Sequence, residues 1–512
     1  STWGIPAMRL PRRGDLCYPA FMKISIPDRD IVCEAKEGQS LLAALAGAGI
    51  ALAAPCGGRG ICGKCGVRLT AGEIRGATPD SSGLFLACRG IPLTDISISL
   101  LSVEGPVLNE VSLLDASPAS GEIPRRGGVA LDIGTTTLSA ALVDQDTGRL
   151  LETYSLLNDQ KAFGADVMNR IGAAKNGKTR DLFTLVNRQT ETILRYFIDK
   201  WKLPKIEKLS VSGNTTMLHL FTNTDPSAMG EVPFTPVFLG EREFKGGDLS
   251  LSAEVVTLLP SISAFIGSDI VAGLAALDIL RGGNNTLMID IGTNGEMALF
   301  HDGTLYGCST AAGPAFEGAE ISCGIGSVRG AINKIELSDG KVSFTTIGNA
   351  PPLGICGCGL IDGIALMRST GIIDETGLLA DDYSEGFTIT GGISISNRDV
   401  RQYQLAKSAI MSGIKILCKN AGIAVTDVGA VFIAGGLGFF IDKQNAVTAG
   451  LLPEPFADKI TSSGNLSLQG AIKSLTDGAF LPGCKKIIEK SAVIELATDP
   501  AFMDEFSENM LF

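Results

Sequence analysis

Four cysteines near the start of the chain have the spacing of thiolate ligands to an iron–sulfur cluster. Cys56, Cys62 and Cys65 lie in PCGGRGICGKC, and Cys88 follows in FLACRG. Such a cluster needs four soft ligands around a small metal core. The intervening glycines suit a loop that wraps the core closely, since glycine accepts positive φ at little steric cost. The pattern is a close variant of the plant-type spacing and predicts a [2Fe–2S] cluster.

A zinc site is the alternative use of these cysteines. A zinc ribbon would need a second CxxC pair, and Cys88 stands alone. The remaining cysteines show no regular framework and are interpreted as reduced, mostly buried thiols. They are Cys17, Cys33, Cys308, Cys323, Cys356, Cys358, Cys418 and Cys484.

The cysteine loop resembles that of adrenodoxin-like [2Fe–2S] ferredoxins, and its surroundings agree. KISIPDRDIVCEAKEG predicts two strands, SLLAALAGAGIALAAP a helix, and ISISLLSVEG a closing strand. The resemblance implies an α+β ferredoxin-like (β-grasp) domain over residues 22–105. Residues 1–21 lack periodicity and are interpreted as a non-native or disordered extension. Residues 106–127 are rich in proline and small polar residues, which predicts a linker.

Composition excludes several classes of function. The 512 residues carry a net charge of −12 with no basic tract, so nucleic acid is not an expected partner. Only His219 and His301 are present, which disfavours histidine-based catalysis. We find no signal peptide and no transmembrane span, and therefore expect a cytoplasmic protein with no membrane partner.

A strand–turn–strand motif occurs twice in the rest of the chain. VALDIGTTTLSAALVD and LMIDIGTNGEMALF place Asp132 and Asp290 at equivalent positions. A strand that ends in Asp and turns through Gly-Thr presents N–H groups and hydroxyls to phosphate, and the Asp can hold Mg²⁺ through water. The predicted phosphate contacts are Gly134, Thr135, Thr136 and Thr137 in the first loop and Gly292, Thr293, Asn294 and Gly295 in the second.

Two facing loops of this kind resemble the phosphate clamp of the actin–Hsp70–sugar kinase superfamily. This implies an α/β two-lobed actin-like ATPase (ASKHA) domain over 128–512. Lobe I would cover about 128–285 plus a C-terminal part, and lobe II about 286–450. VFIAGGLGFF resembles the adenosine motif, through Gly435, Gly436 and Gly438. Residues 267–277 and 467–475 resemble the two interlobe helices.

Asp269 stands where the superfamily often has an acidic residue that orients the attacking water. The expected catalytic residues are therefore Asp269, Asp132 and Asp290, with ATP and Mg²⁺ as cofactors. The alternative is that Asp269 is a plain helix N-cap.

Four further stretches narrow the resemblance: GADVMNRI, VSGNTTMLHLF, STAAGPAFEGAEISCGIGSVRGAI and LGICGCGLIDGIALM. The third contains Gly313, a further expected nucleotide contact. With the ferredoxin-like domain, they resemble the ATP-dependent reductive activators of corrinoid proteins. The resemblance implies that one electron passes from the cluster to reduce Co(II) to Co(I). The implied partners are a corrinoid protein of a methyltransferase system and a low-potential electron donor. The linker is too short for a further domain, which leaves a homodimer open.

Other functions fit parts of the pattern. One is a small-molecule kinase with an appended redox domain, and another is a ferredoxin carrier with degenerate ATPase lobes. A third is a relative of the 2-hydroxyacyl-CoA dehydratase activators, which hold a cluster between subunits. Cys323, Cys356 and Cys358 would be the candidate ligands for such an extra cluster.

Overall fold

The computed structural model describes residues 21–27, 31–48, 50, 52, 58, 60, 65–80, 83–100, 124–283, 285–338 and 341–512. Cys56, Cys62, the predicted extension up to residue 20 and most of the predicted linker lie outside these ranges. The chain divides into two compact units, one made mainly of residues 1–102 and the other mainly of residues 103–512. No helix in the described parts of the chain is long and apolar enough to cross a membrane.

In its described residues, the first unit has a small mixed sheet and one helix. Its strands are β1 Phe21–Ile26, β2 Ile31–Lys36, β3 Gly66–Ala71, β4 Ile74–Arg75, β5 Phe85–Leu86, β6 Ile91–Pro92 and β7 Ile96–Leu100, and its helix is α1 Leu41–Gly47. The main sheet has the order β2-β1-β7-β3-β5. Strands β1 and β7 pair in parallel, and the other pairs are antiparallel. Alternate apolar residues such as Ile24 and Ile98 are fully buried, as a sheet covered on one face requires.

The second unit begins with the sheet of lobe I. Its strands are β8 Gly127–Ile133, β9 Thr137–Asp144, β10 Leu150–Leu157, β11 Ile206–Gly213, β12 Arg242–Lys245 and β13 Ala253–Leu258, and its helices are α2 Val167–Ala173, α3 Thr179–Trp201, α4 Thr215–Phe221 and α5 Ser268–Ala276. The strand order is β10-β9-β8-β11-β13-β12. Strand β8 starts at Gly127, one residue before the predicted start of the ATPase domain at residue 128.

Lobe II supplies the remaining elements. The strands are β14 Thr286–Ile291, β15 Gly295–His301, β16 Thr304–Thr310, β17 Ala331–Ser338, β18 Lys341–Thr346, β19 Gly354–Ile355, β20 Phe387–Thr390, β21 Ile393–Ile395, β22 Ala430–Ala434, β23 Ile460–Gly464 and β24 Ser491–Val493. The helices are α6 Gly357–Ser369, α7 Asn397–Ala421, α8 Lys443–Thr448, α9 Leu466–Thr476, α10 Phe480–Glu489 and α11 Phe502–Glu508. The main sheet has the order β23-β22-β14-β15-β16-β24.

The two large sheets share one topology. In each, an antiparallel three-stranded meander is extended by two parallel strands: β10-β9-β8 by β11 and β13, and β16-β15-β14 by β22 and β23. The carboxyl end of the first meander strand carries the Asp-Ile-Gly-Thr turn in both sheets. The duplicated motif thus marks a duplicated lobe.

Helices α5 and α9 cross between the lobes. Each packs on the sheet of the other half: α5 lies against Met288 of lobe II, whereas α9 contacts β8 and β11 of lobe I. A Cβ placed on Gly470 would lie 2.4 Å from the carbonyl oxygen of Ala272. The absence of a side chain there permits the close crossing.

Candidate functional site

A cleft between the lobes collects most of the residues that the two loop motifs singled out. Both turns are closed by a backbone hydrogen bond, from Gly134 N to Thr137 O and from Gly292 N to Asn294 O, each 2.9 Å. The predicted residues that line the cleft are Asp132, Gly134, Thr135, Thr136, Thr137, Asp269, Asp290, Gly292, Thr293, Asn294, Gly435 and Gly436.

Three predicted glycines are not among the described residues that line the cleft. Gly295 lies in β15, where an added Cβ would meet Ile410 Cδ1 at 2.1 Å, so its small size serves packing. Gly313 borders a separate depression on lobe II, beside Pro314. Gly438 belongs to the short 3-10 turn Gly436–Phe439.

Asp132 of the first loop is held by the start of α9. Asn465 Nδ2 donates to Asp132 Oδ2 at 2.8 Å, and Ser467 Oγ donates to Asp132 Oδ1 at 2.7 Å. Burial raises the pKa of Asp132, and these two hydrogen bonds partly oppose the rise. Both carboxylate oxygens are therefore fixed by neutral donors.

Asp290 of the second loop has two acidic neighbours. Glu296 is its directly opposite residue in the β14–β15 ladder, which places the two side chains on one face. Burial and the charges of Asp269 and Asp290 raise the pKa of Glu296 well above its usual range. A Cβ on Gly435, whose φ is +81°, would lie 2.5 Å from Asp290 Oδ1, so only glycine lets the adenosine-motif backbone pass this close.

Asp269 lies in the first turn of α5 and faces the cleft. The N-cap of α5 is Gly267, so Asp269 is not the N-cap that the alternative interpretation required. Its Oδ1 accepts from Ile270 N at 2.9 Å. Burial, with the charges of Asp290 and Asp132, raises the pKa of Asp269 to about 8.

Glu317, which sequence reasoning missed, connects the two loops. Thr293 Oγ1 donates to Glu317 Oε2 at 2.5 Å, and the hydroxyl of Thr136 also donates to this carboxylate. Burial raises the pKa of Glu317, against the effect of those hydrogen bonds. Glu317 lies in one of the stretches that carry the family resemblance. Nothing in the local sequence indicates that its side chain reaches both loops.

Two of the sequence motifs that narrowed the resemblance, GADVMNRI and VSGNTTMLHLF, form hydrogen bonds to the first loop. Asp166 caps α2 through Asn169 N at 2.7 Å, which presents Arg170 to the loop, and Arg170 Nη2 donates to Thr135 O at 2.5 Å. Asn214 caps α4 and donates from Nδ2 to Thr135 Oγ1 at 3.2 Å. The two motifs therefore fix the conformation of Thr135.

The described part of the cysteine loop fits a cluster. Cys65 is buried just before β3, and Ala87 N donates to Cys65 O at 2.9 Å, which joins the segments of Cys65 and Cys88. Gly58 has a φ of +80°, and a Cβ there would lie 3.8 Å from Cys88 Cβ. Gly58 thus lies close to Cys88, as a shared cluster requires.

The candidate extra-cluster cysteines donate to three different carbonyl groups. Cys323 donates to Gly392 O at 3.8 Å, Cys356 to Ile332 O at 3.3 Å and Cys358 to Leu437 O at 3.7 Å. Among the residues that the structure describes, no three Cys, His, Asp or Glu side chains are grouped to hold a metal ion directly.

Three family models match successive parts of the chain. A 2Fe-2S iron–sulfur cluster binding domain matches residues 24–93, the RACo middle region residues 127–281, and the C-terminal (ASKHA) domain of RACo residues 284–512. The first match supports a [2Fe–2S] cluster and the last supports nucleotide binding. The predicted fold class is confirmed.

The relatives cover most of the chain. "Corrinoid activation enzyme RamQ" of Eubacterium limosum is 34% identical over 433 residues, 78% of this chain and 72% of the relative. A "[Co(II) methylated amine-specific corrinoid protein] reductase" of Methanosarcina barkeri is 28% identical over 415 residues, 73% and 75% of the two chains. A solved "Reductive activator for corrinoid,iron-sulfur protein" is 28% identical, with a TM-score of 0.70 over 96% of this chain and 98% of that one. This chain belongs to the RACo family, in which a ferredoxin-type domain precedes the RACo middle region and its C-terminal ASKHA domain.

Proposed function

We propose that this protein reductively activates a corrinoid protein, passing one electron from its [2Fe–2S] cluster to Co(II) to form Co(I) while ATP is hydrolysed. The observation that carries the proposal is the joining in one chain of a cysteine loop that fits a cluster and a two-lobed cleft that fits a nucleotide. Relatives that span both parts are named for corrinoid activation or corrinoid reduction.

Different residues of the cleft would bind different parts of Mg²⁺–ATP. The Gly-Thr turns would bind the phosphates through N–H groups and hydroxyls, and Gly435 and Gly436 would let backbone approach the adenosine. Asp132 and Asp290 would hold Mg²⁺ through water. When bound, Mg²⁺ would neutralise phosphate charge. Asp269 would orient the attacking water.

ATP is needed because the electron moves to a more negative couple. When bound, a plant-type cluster supplies one electron near about −400 mV. Each ~59 mV by which the Co(II)/Co(I) potential lies below that of the cluster costs roughly 1.4 kcal/mol for one electron. Closure of the lobes about the crossing of α5 and α9 would couple hydrolysis to the contact with the corrinoid protein.

The remaining assignments are part of the same proposal. The partner is the corrinoid protein of a methyltransferase system, and a low-potential donor reduces the cluster. We place the protein in the cytoplasm, as a homodimer or a monomer. The kinase alternative predicts that sugars or small acids accelerate ATP turnover, whereas the activator predicts acceleration by a corrinoid protein in the Co(II) state.

Co(I) formation tests the coupling directly. We expect the visible absorbance of Co(I) to appear only with reductant, ATP and an intact cluster. Asp290→Ala should keep a reducible cluster and fail to form Co(I) even with excess low-potential reductant. Asp458→Ala, at an exposed aspartate of the same lobe, is the matched control and should behave as wild type. Co(I) formation at the wild-type rate by Asp290→Ala, or without ATP, would leave a simple electron carrier.

Substitutions in the first unit of the full-length chain test the cluster ligands. Cys65→Ser should lose or alter the red-brown chromophore and the expected iron, about two atoms per chain. Cys33→Ser, at a buried cysteine in β2 outside the predicted ligand set, should retain both. Nucleotide binding should survive in each variant because the cleft lies in the other unit. A colourless wild-type protein with bound zinc would contradict the assignment.

A further inference from the structure

The cleft that would receive a polyphosphate has an acidic lining. Its described lining residues include five carboxylates and no lysine or arginine; the carboxylates are Asp132, Asp269, Asp290, Glu296 and Glu317. Phosphate sites in proteins usually pair the anion with Arg, Lys or a metal ion. Mg²⁺ and backbone N–H groups can supply part of the positive potential here. None of the described lining side chains carries a positive charge that could supply the remainder of this potential.

Arg170 lies directly behind the first phosphate loop and is fully buried. Its Nε donates to Gly164 O at 3.0 Å, and its Nη2 donates to Thr135 O at 2.5 Å. Its Nη1 lies 3.2 Å from both Gln160 Oε1 and Met217 Sδ. The guanidinium thus contacts the loop through Thr135 without entering the cleft.

All of these acceptors are neutral. Burial lowers the pKa of Arg170 only to about 9, so the side chain is still charged at neutral pH. The carboxylates of Glu317 and Asp166 act on it through their electrostatic field. Among the described residues, however, no carboxylate forms a direct ion pair with Arg170, and a buried charge that is only partly compensated is costly. A polyphosphate on the other side of the loop would provide a strong counter-charge.

The contact with Thr135 also orients the next peptide group. In a planar trans peptide the C=O and the following N–H point in opposite directions. Because the Thr135 carbonyl points at Arg170, the N–H of Thr136 points away from Arg170. Thr136 itself lines the cleft. The same contact that satisfies Arg170 therefore directs a backbone donor towards the expected phosphate position.

We propose that Arg170 is a positioning residue for ATP, which aligns the Thr135–Thr136 peptide and supplies positive charge to the phosphates from behind the loop. The inference rests on the proposed role of the cleft in nucleotide binding. It predicts an effect that grows with the number of phosphates on the ligand, because the interaction is electrostatic. A merely structural arginine would affect all adenine nucleotides alike.

Calorimetric titration with Mg²⁺ and AMP, ADP or a non-hydrolysable ATP analogue tests this inference. In Arg170→Met the affinity for the analogue should fall roughly tenfold or more, that for ADP less, and that for AMP less than about threefold. Arg170→Lys, titrated at a pH low enough to keep a buried amine protonated, should keep the preference for the analogue over AMP within about threefold of wild type at the same pH. Arg368→Met is the matched control, because Arg368 also donates to a backbone carbonyl, that of Thr448, outside the cleft lining. It should bind all three ligands as wild type does.

Equal losses for the three nucleotides, or no loss for the analogue, would overturn the inference. If Arg170→Met does not fold, Arg170→Lys alone decides: a retained preference supports the charge, and a lost preference refutes it. Failure of the wild-type protein to bind any of the three would instead contradict the proposed nucleotide site.

Discussion

The two phosphate loops have the same topology but different neighbours around their aspartates. Asp132 of lobe I faces the start of α9, the helix that follows β23 of lobe II. Asp290 of lobe II faces the start of α5, the helix that follows β13 of lobe I. For Asp132 the helix start offers the neutral donors Asn465 and Ser467. For Asp290 it offers the carboxylate of Asp269, with Glu296 added from the neighbouring strand. The shared frame therefore contains one aspartate held by two neutral donors and one with two carboxylates beside it, whose combined negative charge favours a bound cation.

Matched Asp→Asn substitutions should separate the two loops most strongly. Asp132→Asn and Asp290→Asn should each lower ATP turnover roughly 10- to 100-fold, as expected for groups that orient a metal through water. Their thermal stabilities should move in opposite directions. Asp132→Asn loses a hydrogen bond to a charged group, worth about 2 kcal/mol, whereas Asp290→Asn relieves repulsion and should raise Tm.

Thermal unfolding without nucleotide or Mg²⁺, together with steady-state ATP hydrolysis, measures both effects. Equal shifts of Tm in the two variants would show that the two aspartates do not differ in the way their neighbouring donors and carboxylates indicate. Full turnover by either variant would contradict the paired phosphate clamp.

A second substitution would make the first loop resemble the second. Asn465→Asp is isosteric and retains the cap on α9, where Asn465 Oδ1 accepts from Leu468 N at 2.7 Å. It replaces a donor to Asp132 with a like charge, so we expect Tm to fall by an amount equivalent to about 2 kcal/mol. The double variant with Asp132→Asn should recover part of that loss in a double-mutant cycle. Additive losses would show that the two side chains are not coupled.

Sequence alone located the parts of this site whose signals are local. The sequence predicts the duplicated Asp-Ile-Gly-Thr turns and both interlobe helices to within about one residue, because strand and helix periodicity lie in contiguous segments. The roles of Arg170 and Asn465 were not predicted, since their partners lie 35 and 333 residues away. Gly295 and Gly313 show the converse problem. A glycine required for packing or for a turn is indistinguishable in sequence from one that contacts a phosphate.

Glu317 accepts hydrogen bonds from threonines of both loops. Its substitution by Gln should produce the smallest effect of the three, because most of those hydrogen bonds can be retained. Glu317→Gln preserves the size of the side chain and an acceptor for Thr136 or Thr293, but removes a charge beside the phosphates. We expect affinity for an ATP analogue to rise roughly fivefold, equivalent to about 1 kcal/mol, with a smaller change for AMP. Titration with both ligands measures this. A loss of affinity would indicate that the hydrogen bonds of Glu317, rather than its charge, govern the cleft.

The exchange of helices between the lobes has a consequence for biosynthesis. Asp132 and Asn465 are 333 residues apart, so lobe I remains without α9 until nearly the whole chain has left the ribosome. Contacts of such long range slow folding and leave apolar surface exposed in the meantime. The described strands of the first unit, by contrast, pair within residues 21–100. Its folding and acquisition of iron can therefore precede completion of the ATPase, and the nascent ATPase is the part that would depend on chaperones.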